Sequence, residues 1–295
     1  MFETLTEQPA DALLALIGLH RDDPRQGKLD LGVGVYRDES GATPIMRAVK
    51  EAERILLDGR TTKSYLGPEG DLTYVGLLKP IAFGGDPGPR LVGVQTPGGT
   101  GALRLGAELV ASAKPGARVL VGQPTWPNHV PILEATGLTP VPHRFFDVAT
   151  QTIDFAAMMA AIAAAGPRDV VLVHGCCHNP AGADLADAQW DDLADLLARR
   201  GVTPFVDLAY QGLGRGLDAD AYGTRRLLAT LPEVLVAYSC DKNFGLYRER
   251  VGALYVLARD EAAAASVKSN MAALARVNWS MPPDHGAAIV RTVLE

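Results

Sequence analysis

A chain of 295 residues can bury one large core or two smaller ones, and 47% hydrophobic against 21% charged residues excludes a disordered chain. A net charge of −6 argues against a nucleic-acid surface, and no apolar run reaches membrane-spanning length. Three cysteines, two of them adjacent, do not make a disulfide framework, and the opening MFETLTEQPADALL has acids but no basic stretch of a secretory signal. The expectation is a soluble cytoplasmic protein.

Residues 1–10 read as an arm and Asp11 to Leu19 as a short helix. Leu31 to Tyr36 is a β-like segment whose glycines would let a ligand approach the backbone. Thr43-Pro44 introduces a helix from Ile45 to Asp58, and Ser64 to Gly70 is turn-rich. Strands and helices then alternate. Leu91 to Gln95, Arg118 to Val121, Val170 to Val173, Pro204 to Val206, Val234 to Tyr238 and Gly252 to Leu257 read as strands. Gly101 to Ser112 and Asp187 to Arg200, stopped by Gly201, read as helices, with alanine-rich helices near 156–165 and 261–265. The alternation predicts an α/β fold: a mostly parallel central sheet with helices on both faces.

In such sheets ligands bind beyond the carboxyl ends of the strands, so the segments that follow the strands should converge. Gly98-Gly99-Thr100 follows a strand and opens a helix, which suits a phosphate or simply a tight turn. It is a poor match to a dinucleotide fingerprint. His174-Gly175-Cys176-Cys177-His178 suggests a metal site. An extended segment, however, would hold its two histidines roughly 13 Å apart, whereas zinc ligands lie about 2.3 Å from the ion. The expectation is no metal, and a strand end leading into an Asn179-Pro180 turn. Asp207 ends an apolar strand and needs a partner: an arginine, a helix N-terminus, or the cationic ring nitrogen of a cofactor. Trp126 serves either as core or as a plate stacked on a flat ring. Lys242 follows a strand, beside Asp241 and ahead of Arg248 and Arg250, and is the only lysine between Lys114 and Lys268. It is either an exposed strand-end cation or, unlike arginine, a nucleophile. A lysine, an acid, a phosphate turn and an aromatic plate together fit pyridoxal phosphate, with Arg250 forking its phosphate.

The motifs LGVGVYRDESGATP, SYLGPEG, TPGGTGALR, PTWPNH, HGCCHNPAG, DLAYQGL, KNFGLYRERVG and VNWSMPPDHGA, in this order over essentially the whole chain, resemble those of the class I (aspartate and aromatic amino-acid) aminotransferases. The resemblance implies the fold type I architecture of pyridoxal-phosphate enzymes. Residues 1–10 would be an arm, 11–43 the N-terminal part of a small domain and 44–295 the large cofactor-binding domain. It implies Lys242 as the Schiff-base lysine and proton shuttle, and Asp207 as partner of the pyridine nitrogen. Asn179 and Tyr210 would hydrogen-bond the cofactor's O3′, and Trp126 would stack on its ring beside the substrate carboxylate. Gly99, Thr100, Ser239 and Arg250 would form the phosphate cup, with Tyr65 reaching the phosphate of a neighbouring subunit. Arg276 would cross a homodimer interface to a substrate's distal carboxylate, and Gly34 would belong to a segment closing on substrate. The implied substrates are amino acids, dicarboxylic or aromatic, and 2-oxo acids such as 2-oxoglutarate.

Two departures qualify the resemblance. Asp241 stands where the family often has serine, and an ionised aspartate cannot donate to a phosphate. It is expected to turn toward Arg250 or Arg248 and to lower cofactor affinity. The chain also stops at Glu295 inside a helical pattern, about a quarter short of the family's length judged against domain sizes. The expectation is a C-terminally truncated chain with an incomplete small domain, lacking the arginine that grips the α-carboxylate. The alternatives are a catalytically impaired cofactor-binding protein and a nucleotide-dependent oxidoreductase built on the glycine turn.

Overall fold

The computed structural model describes residues 1–7, 12–29 and 34–295. The β-like segment expected at Leu31 to Tyr36 lies largely outside the described residues, as do the end of the arm and Asp11. Two compact units emerge, Met1–Ile45 and Met46–Glu295. In the first, helix α1 (Ala12–Asp22) ends where Lys28 Nζ donates to the carbonyls of His20 (2.6 Å) and Asp23 (2.7 Å). The lysine thus takes up carbonyl groups at the end of the helix, on the side its charge favours.

The second unit begins with α2 (Arg47–Gly59), α3 (Leu72–Phe83), β1 (Leu91–Pro97) and α4 (Gly98–Ala113). It continues through β2 (Arg118–Gln123), α5 (His129–Ala135), β3 (Thr139–Arg144) and the short pair β4 (Phe146–Asp147) and β5 (Thr152–Ile153). Then come α6 (Phe155–Ala163), β6 (Val170–His174), α7 (Asp187–Arg200), β7 (Thr203–Leu208), α8 (Leu217–Asp220) and α9 (Tyr222–Thr230). Strands β8 (Val234–Ser239) and β9 (Val251–Leu257) and helices α10 (Glu261–Asn278) and α11 (Asp284–Leu294) complete it.

One seven-stranded sheet runs β1-β9-β8-β7-β6-β2-β3. Only β9 is antiparallel to its neighbours. Strands β7, β8 and β9 are buried at every position, which is why their sequences read as unbroken apolar runs rather than alternating ones. Alternate residues nevertheless serve different cores. Val234, Val236 and Tyr238 join the core shared with α3, α7 and α9, while Leu235 and Ala237 join the core under α4, α5 and α10. Helices thus cover both faces, as the alternating pattern predicts.

The glycine turn predicted to precede α4 is its first turn, because the helix begins at Gly98 rather than Gly101. Helix α7 has its expected bounds, and Gly201 stops it with φ +68°, in the left-handed region glycine tolerates. Helix α4 lies close over the sheet. A Cβ placed on Gly106 would meet the Phe205 ring at 2.4 Å. Gly106→Ala is therefore expected to lift α4 and destabilise the protein by about 1–3 kcal/mol. Equilibrium urea unfolding reads this, and an unchanged midpoint would mean that α4 does not sit on β7 in this way.

Candidate active site

Five strands, β1, β2, β6, β7 and β8, end on the same edge of the sheet. The segments that follow them line one pocket, with about 370 Å³ of open space. It holds Gly99, Thr100, Trp126, Asn179, Asp207, Tyr210, Ser239, Asp241 and Lys242. Arg250 borders it, joined to Asp241. Ten residues singled out from sequence therefore meet in one place. Tyr65 and Arg276 lie elsewhere: Tyr65 is 93% exposed, and the exposed Arg276 donates to Ser280 Oγ at the end of α10. Gly34 belongs to the first unit.

Lys242 sits in the turn after β8, half-buried, with Nζ 5.8 Å from the centre of the Tyr210 ring. The turn is closed by the Gly245 N–H donating to the Lys242 carbonyl (3.0 Å). Among the described residues Lys242 makes no ion pair. Across the pocket, Asn179 Nδ2 donates to Tyr210 Oη (3.3 Å). Burial, then the Asp207 charge, raise the Tyr210 phenol above its usual range.

Asp207, on β7, is buried and bonded to His129 Nε2 (3.0 Å), the first residue of α5. Its partner is therefore an imidazole, rather than the arginine or helix terminus weighed from sequence. Burial alone would raise this carboxyl. The His129 hydrogen bond, with a smaller pull from the charge of Lys242, outweighs burial and holds it below its ordinary value. An ionised carboxylate only accepts, so His129 Nε2 carries a proton toward it. Its other ring nitrogen, Nδ1, is hydrogen-bonded with Thr125 Oγ (2.7 Å). Trp126 meets His129 edge-on, with ring centroids 5.3 Å apart.

Sequence reading passed over His129 and Thr125 although both stand beside the Trp126 it had marked. The signal was available in the i, i+4 spacing of Thr125 and His129. It also misjudged His174 and His178. The segment between them turns instead of staying extended, with Cys177 at φ +47° and the Gly175 N–H held by the Asp207 carbonyl (2.8 Å). The two imidazole centroids lie 4.0 Å apart. His129, His174 and Asp207 bring ligand-type atoms within 4.8 Å of one another, as do Cys176, Cys177 and Asp220. The distance argument against a metal therefore fails, although these side chains have other roles. Asp220 accepts three backbone N–H groups, from Gly212, Gly214 and Arg215, and Asp207 is held by His129. Burial pushes His174 down to about 3 and His178 to about 4, so both rings are neutral at neutral pH.

The turn at the start of α4 forms a cup for an anion. Its free N–H groups and the helix dipole attract negative charge. Gly98 has φ +71°, and a Cβ there would lie 2.6 Å from Arg250 Nη2; a Cβ on Gly99 would press on Ser239 at 3.0 Å. A side chain at either position would fill the cup. Asp241 turns toward Arg250, as expected, with 2.5 Å between Oδ2 and Nη1, while its Oδ1 accepts the Val251 N–H (2.9 Å). Burial raises the Asp241 carboxyl, against the opposing pull of Arg250.

Residues 26–295 match the family model described as aminotransferase class I and II. The chain is 54% identical to a tyrosine aminotransferase of Rhizobium meliloti (strain 1021), covering all of this chain and 76% of that protein. It is 45% identical to an aspartate aminotransferase of Escherichia coli (strain K12), covering all of this chain and 75% of the relative. The structure of an aromatic-amino-acid aminotransferase from Burkholderia pseudomallei, covalently bound to pyridoxal phosphate, superposes with a TM-score of 0.97 at 38% identity. That alignment covers all of this chain and 75% of the Burkholderia one. The sheet order, the shared strand-end pocket and these likenesses agree: the chain belongs to the class I and II aminotransferases, with the fold type I architecture expected from its sequence.

Proposed function

We propose that the pocket binds pyridoxal phosphate and transfers an amino group between an aromatic or dicarboxylic amino acid and a 2-oxo acid. The observation that carries this reading is the meeting of Lys242, an ionised Asp207 and the anion cup of α4 in one pocket. The donor set fits the cofactor. Asp207 supplies the carboxylate for a ring nitrogen, Asn179 and Tyr210 the polar pair for a ring oxygen, and Trp126 a flat apolar face. Gly99, Thr100, Ser239 and Arg250 offer N–H, hydroxyl and guanidinium groups to a phosphate. When bound, pyridoxal phosphate supplies an electron sink that stabilises negative charge on the substrate's α-carbon.

The protein's own groups do the rest. Lys242 would be the amine that holds the cofactor and, once released, would take the α-proton on Nζ and deliver it to the cofactor's carbon. An arginine could not lose the proton this needs. Asp207 keeps a proton on the ring nitrogen because His129 keeps Asp207 ionised. Tyr65 and Arg276 are assigned to a homodimer, in which each would serve the neighbour's pocket. Their exposure supports this assignment. In that reading Arg276 pairs with the distal carboxylate of dicarboxylic substrates.

Lys242→Ala is expected to lower glutamate formation from phenylalanine and 2-oxoglutarate by at least about a thousandfold; a variant that keeps wild-type turnover would remove Lys242 from the chemistry. Arg276→Ala should raise KM for aspartate well above any rise for phenylalanine, and equal effects would place it outside the substrate site. A third expectation concerns acid. Since the folded-state pKa values of His174 and His178 are depressed to about 3 and about 4, the unfolded chain binds protons first. Their contribution is complete above about pH 6.5 and is lost as pH falls toward about 4 for His178 and about 3 for His174, by up to ~1.4 kcal/mol per pH unit for each ring. Urea unfolding at stepped pH should show this loss, and His178→Gln should flatten it; an unaltered slope would mean that His178 is not held neutral.

A further inference from the structure

We infer that Asp241 is a built-in anion that competes with the cofactor's phosphate for Arg250 and for the start of α4. The inference rests on the pyridoxal phosphate reading of the pocket. Asp241 is 1% exposed and lines the pocket with Gly99, Thr100, Ser239 and Lys242. Its Oδ2 takes Arg250 Nη1 at 2.5 Å and its Oδ1 takes the Val251 N–H at 2.9 Å. The pair abuts the first residue of α4, since a Cβ placed on Gly98 would fall 2.8 Å from Asp241 Oδ2 and 2.6 Å from Arg250 Nη2. The carboxylate therefore uses the positive potential that an incoming phosphate would use.

Two consequences follow from this placement. Without ligand, Arg250 is not left as a lone cation beside a positive helix end, so the empty cup is stabilised. With ligand, a phosphate dianion meets a fixed negative charge and an arginine already engaged, and Asp241 has no hydrogen to donate to it. A pyridine compound without a phosphate meets neither obstacle. Asp241 thus trades affinity for the phosphate arm against stability of the ligand-free protein. A residue that merely propped Arg250 in place would do the opposite, because its loss would weaken phosphate binding.

The test uses pyridoxamine 5′-phosphate, which has no aldehyde to bond Lys242, and pyridoxamine, which also lacks the phosphate. Both are titrated calorimetrically into the wild type, Asp241→Ser and Asp241→Asn, and the ligand-free proteins are melted. Asp241→Asn keeps the side-chain shape and an acceptor for Val251, so a folded comparison survives if Asp241→Ser does not fold. The expected result is that the folded variants bind pyridoxamine 5′-phosphate at least about tenfold tighter than the wild type. Their affinity for pyridoxamine should stay within about twofold of wild type, and their ligand-free melting temperatures should fall. Equal or weaker binding of the phosphorylated compound by the variants would overturn the inference. Failure of all three proteins to bind it would instead overturn the pyridoxal phosphate reading, and this inference with it.

Discussion

The structure turns on one buried carboxylate. Asp207 lies on β7, flanked by β6 and β8, where desolvation favours its neutral form. A neutral acid there could still accept a hydrogen bond but would carry no charge to hold a proton on a cationic ring. Keeping it ionised imposes a chain of requirements. His129 must begin α5 within reach of β7, and Thr125 must hold the other ring nitrogen. His174 and His178, packed beside His129 and each other, must remain uncharged. The turn after β6 brings those rings together, and the Asp207 carbonyl extends the β6–β7 ladder to Gly175, where the turn begins. The side chain and the backbone of one residue therefore organise three strand ends.

The charges around the pocket are divided in a way that suits the nucleophilic role proposed for Lys242. Asp207 is committed to His129, and Asp241 to Arg250. Lys242 is left without an ion pair among the described residues. A lysine bound tightly to a carboxylate would be held in its charged form and would make a poor nucleophile. Each acid that could have trapped it has a nearer partner. The same division explains why a second aspartate next to the lysine is tolerated: its charge is balanced on the side of Arg250, 2.5 Å away.

Much of this was legible in the residues, for physical reasons that differ by element. Helix α7 was readable because its apolar spacing is regular and Gly201 stops it. The buried strands were readable because both of their faces are covered, which leaves mostly apolar runs, with Asp207 near the end of β7 standing out. Helix α3 was not anticipated. It is apolar nearly all round and contains Gly76 and Pro80, so neither amphipathic spacing nor propensity marks it. Its signals lie at its ends: Asp71 caps the N–H groups of Thr73 and Tyr74, and Gly84 stops it at φ +77°. The His174 to His178 turn was misread for a different reason. Local sequence suggested a strand running on, and the turn is held by Asp184, whose carboxylate accepts the Cys177 N–H, and by the Gly182 N–H on the His178 carbonyl (2.6 Å). The Asp207–His129 pair is non-local. Sequence could say that Asp207 needs a partner but could not say which.

The placement of Arg250 follows from strand direction. Strand β9 is the one antiparallel strand, set between β1 and β8. In its register Val251 faces Pro97 and Gly252 faces Thr96 on one side, while Gly252 faces Ser239 on the other. The residue just before β9 is therefore brought beside the residue just after β1, which is Gly98, the start of α4. A parallel strand in that position would present its carboxyl end there and leave Arg250 on the opposite edge. Close backbone approach completes the arrangement, since a Cβ on Gly252 would lie 2.5 Å from the backbone carbon of Gly98. One reversed strand thus brings a guanidinium, the Ser239 hydroxyl and a helix N-terminus to a single point. The positive end of α4 and the partly exposed Arg250 guanidinium repel each other unless an anion lies between them. In this chain Asp241 is that anion when no ligand is bound.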